Sequence, residues 1–200
     1  NFAPDQVPRS ELFDFVDDHF YVDHPHFIEQ PWRLPSRCAN ANPLKNDALG
    51  AQRVVFTRLL DKPFTITEYN YSGPGRFRGV GGIVTGTMGA LQDWGGIWRF
   101  AFGHNREALT RPEGSAMGYF DMVGDPLSLA AERASICLFL RGDLAPLART
   151  YAMVLPKDEV LRMRDRIPQN YTAWPWLGWY ARLGTLVAEP LHLHRRPDAD

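Results

Sequence analysis

Apolar positions along the chain switch between the period-two pattern of strands and the wider period of helices. Phe15-Val16-Asp17-Asp18-His19-Phe20-Tyr21-Val22 reads as a strand that gains polar groups toward its C-terminal end. His19 and Tyr21 are two apart, so in a strand they share a face. Phe64-Thr65-Ile66-Thr67-Glu68-Tyr69-Asn70 is an apolar, β-branched run set off by Pro63, and the irregular loop Ser72-Gly73-Pro74-Gly75 follows at once. Such continuous runs suit a parallel strand buried on both faces. Alternation places Phe64, Ile66 and Glu68 on one face. Gly96-Ile97-Trp98-Arg99-Phe100-Ala101-Phe102 is a third strand, with Trp98, Phe100 and Phe102 on one side and Gly103-His104-Asn105 as its polar exit.

Helical patterns separate these strands. Ala48, Leu49, Val54, Val55, Leu59 and Leu60 fall near one stripe and predict a helix over 46–60. Residues 77–92 read as a helix rich in glycine. The run Gly79-Val80-Gly81-Gly82-Ile83-Val84 lacks the G-x-G-x-x-G spacing of a phosphate loop, so close helix-on-sheet packing is expected. Asp125 reads as an N-cap and Pro126 as a first-turn proline of a helix over 127–140, which Gly142 ends. Consecutive β-loop-α units argue for a parallel sheet. The passage from Asp23 to about Lys45, with four prolines and Trp32, is long enough to be a functional loop.

Composition changes this picture little. Two hundred residues suit one domain or part of a larger one. A formal net charge of −1, with basic residues scattered, gives no argument for nucleic acid or an anionic membrane. No run approaches the roughly 20 apolar residues that span a bilayer. The chain opens on Asn1 rather than Met, so a piece of a longer polypeptide is expected. Cys38 and Cys137 make neither a disulfide framework nor a metal motif. His19, His24 and His26 lie among Asp17, Asp18 and Asp23, but without CxxC or HExxH spacing, and no metal or cofactor is expected. Ser72-Gly73-Pro74-Gly75 is not the elbow of a serine hydrolase. Twelve Phe, seven Tyr and six Trp matter more, because aromatic faces stack on the apolar face of a sugar ring.

Retaining glycosidases need two carboxyl groups about 5–5.5 Å apart, one of which attacks the anomeric carbon. That nucleophile must be ionised and oriented, and hydrogen-bond donors from a neighbouring strand would serve. His19-Phe20-Tyr21 followed by Thr67-Glu68-Tyr69 on the next strand resembles the clan A glycoside hydrolases, which are (β/α)8 barrels. Leu91-Gln92-Asp93-Trp94-Gly95-Gly96-Ile97, Asp125-Pro126 with Glu132-Arg133-Ala134, and Phe139-Leu140-Arg141-Gly142-Asp143 are similar to bacterial members of the β-galactosidase, β-agarase and cellulase-like groups.

The resemblance implies an α/β fold, a partial (β/α)8 TIM barrel of about strands six to eight, over residues 1–145. A small appendage would fill 146–200, with a strand at Tyr151-Ala152-Met153-Val154-Leu155, a helix over 157–167, a tryptophan cluster at 174–179 and a frayed tail from His192. It implies Glu68 as nucleophile, His19 and Tyr21 as its orienters, and Trp94, Trp98, Tyr69, Asn70 and His104 as substrate contacts. The acid/base Glu of that clan has no counterpart in this chain, so the missing barrel half or a second chain would supply it. The implied substrate is a poly- or oligosaccharide, and a bacterial periplasmic or extracellular setting follows from the same likeness. The competing expectation is a non-catalytic carbohydrate-binding or assembly subunit with a remnant cleft. Glu68→Gln separates the two, abolishing turnover in an enzyme and changing little in a binding module.

Overall fold

A computed structural model of the chain describes residues 12–45, 50–110, 118–162 and 174–188. Outside these lie the first part of the helix expected over 46–60, with Ala48 and Leu49, the part of the expected charged helix beyond 162, and the tail from His192. Seven strands are described: β1 (Val16–Val22), β2 (His26–Phe27), β3 (Ser36–Arg37), β4 (Phe64–Tyr71), β5 (Gly96–Arg99), β6 (Thr150–Pro156) and β7 (Arg182–Ala188). β1, β4 and β5 form a parallel sheet in that order, β2 and β3 a small antiparallel pair, and β6 and β7 a parallel pair.

The central strand carries an irregularity that decides what its two faces present. Asp17 pairs with Thr65 and His19 with Glu68, so β1 advances two residues where β4 advances three. The same extra residue appears against β5, between the Ile66–Ile97 and Tyr69–Arg99 pairs. A β-bulge inserts one residue and flips the alternation beyond it. Phe64 and Ile66 before the bulge and Tyr69 and Tyr71 after it therefore all enter the core. Glu68 does not share a face with Phe64 and Ile66, as alternation alone predicts; it lies on the opposite, open face with Thr65 and Thr67. β1 is regular: Val16, Asp18, Phe20 and Val22 are buried, while Asp17, His19 and Tyr21 face the open side.

Helices cover the other face. The helix Gly81–Leu91 follows a 3-10 turn at Arg78–Val80, and the helix Pro126–Ser135 continues into a π-helical turn at Ile136–Leu140. Asp125 caps the latter, accepting from the Leu127 N–H at 3.1 Å, and Gly142 leaves it with a φ of 79°. The glycines mainly let the two helices touch, rather than seating one helix on the sheet. A Cβ at Gly82 would stand 1.7 Å from the Ala131 carbonyl oxygen, and one at Gly86 would stand 2.6 Å from the Ser135 Cα. Residues 82 and 86, one turn apart, lie on the same stripe, where backbones approach only if side chains are absent.

The helix expected over 46–60 is, where described, a single 3-10 turn at Ala51–Val54. Tertiary pairing wins over local pattern there. Leu60 N–H bonds to Thr185 O at 3.0 Å and Thr185 N–H to Arg58 O at 2.7 Å, drawing this segment alongside β7. The C-terminal part is thereby tied to the rest. Gln92, fully buried, donates to the carbonyls of Gly178 (2.6 Å) and Ala181 (2.7 Å) and accepts from Leu183 N–H (2.7 Å). Ala181 and Leu183 belong to the same core as Val16, Phe64 and Met88. The expected tryptophan cluster is a 3-10 turn, Pro175–Trp179, with Trp174 and Trp176 exposed, and only the first part of the expected charged helix, Lys157–Arg162, is described. No described helix is long and apolar enough to cross a membrane.

Candidate functional site

Strand register brings the open-face side chains of β1 and β4 together. His19 sits directly beside Glu68, and Tyr21 lies two residues further along the same face. The Tyr21 hydroxyl donates to Glu68 Oε1, and His19 Nδ1 lies 3.2 Å from Glu68 Oε2. Both carboxylate oxygens are thus engaged, one by a phenol and one by an imidazole. Burial first, and then the adjoining Glu68 carboxylate, push the Tyr21 hydroxyl well above its ordinary pKa. The phenol therefore stays a proton donor across the working pH range.

Beneath His19 lies a carboxylate that sequence reasoning passed over. His19 Nε2 is 3.0 Å from Asp17 Oδ2 and 3.0 Å from Thr67 Oγ1. Asp17 accepts from Thr65 Oγ1 at 2.7 Å, Thr67 N–H at 2.9 Å and Thr67 Oγ1 at 2.7 Å. Asp17, His19 and Glu68 form a line in which one ring spans two carboxylates, and only a doubly protonated ring donates to both at once. The signal was available, because Asp17, His19 and Tyr21 share one strand period.

The other expected contacts divide. Trp98 lies on the open face across from the Thr67–Glu68 bulge, is 54% exposed, and folds its ring over Gly96, where a Cβ would meet Trp98 Cη2 at 2.3 Å. Its ring therefore turns back along β5, toward the residue that pairs with Thr65, while staying on the open face. Trp94 does not: it is 4% exposed, precedes β5 and packs edge-on against Phe64 in the core. Burial of its neighbours draws it inward, and it cannot contact substrate. Tyr69 lies behind the sheet, its hydroxyl 3.1 Å from Glu132 Oε2. Burial, then Glu132, raises its pKa as well.

Asn70 is buried too, and its amide is fully used. Its Nδ2 donates to the carbonyls of Phe100 and Phe120, while its Oδ1 accepts from Tyr71 N–H and Arg99 Nε. Asn70 therefore ties together the backbone around the site instead of meeting a ligand. His104 is half-exposed and its Nδ1 contacts the Asp121 carboxylate, an arrangement that fixes the ring at the rim.

The strand ends converge on Phe120, which no strand pattern flagged because it sits in an irregular loop. Its ring lies 5.1 Å from Tyr21, 5.6 Å from His24, 5.9 Å from Trp32, 6.1 Å from Phe100 and 6.3 Å from His104. The signal that could have found it is the Tyr119-Phe120-Asp121 run, an aromatic pair and an acid within a loop. Together these residues join the Glu68 trio to an aromatic cluster around Phe120. Among the described residues no group of three or more His, Cys, Asp or Glu side chains is arranged to hold a metal ion.

No family model, curated protein or solved structure matches this chain.

Proposed function

We propose that this chain is the C-terminal part of a retaining β-glycoside hydrolase barrel acting on poly- or oligosaccharides, with Glu68 as its nucleophile. The observation that carries the proposal is the Glu68 carboxylate held between the Tyr21 hydroxyl and the His19 ring. Two donors fix the carboxylate's orientation and stabilise its charged form. Trp98, exposed on the same open face of the sheet, offers an aromatic face to a sugar.

In the first step a Glu68 oxygen bonds to the anomeric carbon and the glycosidic bond breaks, its electron pair leaving with the aglycone oxygen, which takes a proton from a second carboxyl group. In the second, water attacks the glycosyl ester, gives its proton to that same group and frees Glu68. Asp17 does not fit the second role, because threonine hydroxyls, a backbone N–H and His19 already engage it. The clan A likeness implies a proton donor in the missing barrel half or in a second chain.

A reagent that needs no proton donor tests this directly. A dinitrophenyl 2-deoxy-2-fluoroglycoside carries a leaving group that departs unprotonated, and its fluorine slows hydrolysis of the ester. The expected result is one stoichiometric glycosyl adduct, located on Glu68 by peptide mass spectrometry and absent from Glu68→Gln. No adduct with any sugar of a gluco-, galacto- and manno-configured panel, or an adduct on another residue, overturns the proposal.

A further inference from the structure

The hairpin after β1 carries an aromatic surface that the chemistry at Glu68 does not use. Trp32 is 61% exposed, yet its backbone is not a loose end. The β2–β3 pair closes the hairpin, Ile28 N–H bonds to Pro35 O at 3.1 Å, and Arg33 N–H bonds to Gln30 O at 3.2 Å. Ser36 Oγ lies 2.6 Å from the Tyr119 hydroxyl, pinning the hairpin to the loop that bears Phe120. Trp32 itself has a φ of 63°, the left-handed region that a bulky residue enters only at a cost. Such outliers persist where surrounding structure holds them, and they gather at ligand clamps.

The indole does not stand alone. Its ring is 5.9 Å from His24, 5.0 Å from Phe27 and 5.9 Å from Phe120. Phe120 and His24 also pack against Tyr21, the residue that holds Glu68. The aromatic wall thus runs unbroken from the carboxylate to Trp32. Glu68 accepts from the Tyr21 hydroxyl at one end of this wall, and Asp121 meets the His104 ring beside Phe120. Apolar faces beside acceptors suit a ligand with hydroxyl donors and an apolar ring face, which a sugar offers.

We propose that Trp32 is the stacking platform of a second sugar subsite, one that binds the next ring of a β-linked oligosaccharide whose reacting ring lies over Glu68. This rests on the glycosidase reading and extends it from a single sugar to a chain. The test uses the full chain and neutral β-linked gluco- and galacto-oligosaccharides from disaccharide to hexasaccharide, followed by the tryptophan indole N–H resonances, with Trp32 assigned from Trp32→Phe.

The Trp32 resonance is expected to move once the ligand is long enough to reach it. Trp32→Ala should remove the affinity gained from that added ring, roughly three- to tenfold, the worth of one aromatic face. Trp32→Phe, which keeps a ring, should retain part of it. If glycosyl labelling of Glu68 occurs but Trp32→Ala binds every length as tightly as the wild type, the subsite is refuted and the glycosidase reading stands. If no sugar labels Glu68 or perturbs Tyr21, both fall.

Discussion

Two carboxylates stand on opposite sides of the central sheet, each held by a tyrosine and a nitrogen base. On the helix-covered side Glu132 takes the Tyr69 hydroxyl at 3.1 Å and Arg99 Nη1 at 3.2 Å. On the open side Glu68 takes the Tyr21 hydroxyl and faces His19 Nδ1 at 3.2 Å. The partners differ in what they can do. Arg99 is buried and permanently charged, so its pair with Glu132 is fixed and structural. His19 is half-exposed, so the open-side trio can be reached from solvent. The comparison teaches that a phenol beside a carboxylate does not by itself mark a functional site; what separates the two acids is access.

The sharpest way to break the contrast is to neutralise each acid. Glu68→Gln should reduce release of dinitrophenol from an activated aryl glycoside by on the order of a thousandfold or more, the scale of losing a nucleophile. Its urea midpoint should hardly move, because the open side gives the amide water to bond with. Glu132→Gln should behave in the opposite way. It leaves the Arg99 charge buried and unpaired, which costs about 3 kcal/mol or more, read as a lower urea midpoint. Loss of labelling from the Glu132 variant without loss of stability would reverse the assignment of the two sides.

A smaller effect is expected from the phenols. Tyr21→Phe removes one donor to a carboxylate, a bond worth about 1.5–3 kcal/mol, so aryl glycoside cleavage should fall about ten- to a hundredfold. Tyr69→Phe should instead act on stability, since its hydroxyl bonds within the covered network. If the two variants lowered activity equally, the distinction between the faces would be lost.

How much of this was legible in the sequence follows from the same geometry. His19, Tyr21 and Glu68 could be read because β1 is regular and the apolar run of β4 ends where the site begins. The face of Glu68 could not, because a bulge leaves no mark in a run of alternating threonines and aliphatics. Trp94 and Trp98 look alike in sequence, both near the start of a strand. Only packing against Phe64 separates the buried one from the exposed one. Tyr69 and Asn70 follow Glu68 and invited the same role, yet β4 past the bulge sends Tyr69 to Glu132 and consumes every amide bond of Asn70. The strand β7 carries a plain β pattern in Leu183-Gly184-Thr185-Leu186-Val187, and its pairing with the segment around Leu59 is a long-range fact that local periodicity does not carry.

The finest test of the two faces uses neighbours. Asp17 and Asp18 are adjacent in β1 and point to opposite sides of the sheet. Asp17 is saturated with donors, so Asp17→Asn loses charge-assisted bonds from Thr65, Thr67 and His19 and should cost about 1 kcal/mol. It should also slow Glu68 chemistry, because His19 loses the partner at its Nε2. Asp18 is buried, and burial raises its pKa above the ordinary 3.8 despite bonds from Thr57 and the His19 N–H.

A carboxyl whose folded-state pKa is raised is held against its ionisation, so its cost to stability is absent below pH 3.8. The cost grows as pH climbs toward the folded value and is constant above it. Asp18→Asn removes that cost while keeping an acceptor for the His19 N–H. At neutral pH it should match or slightly exceed wild-type stability, with the advantage vanishing near pH 3 in a urea titration. Substitutions one residue apart would then have opposite signs, the open-side acid needed as an anion and the covered one merely tolerated. A destabilised Asp18→Asn at neutral pH would instead mean that its charge is used on the helix side, and the division between the faces would have to be redrawn.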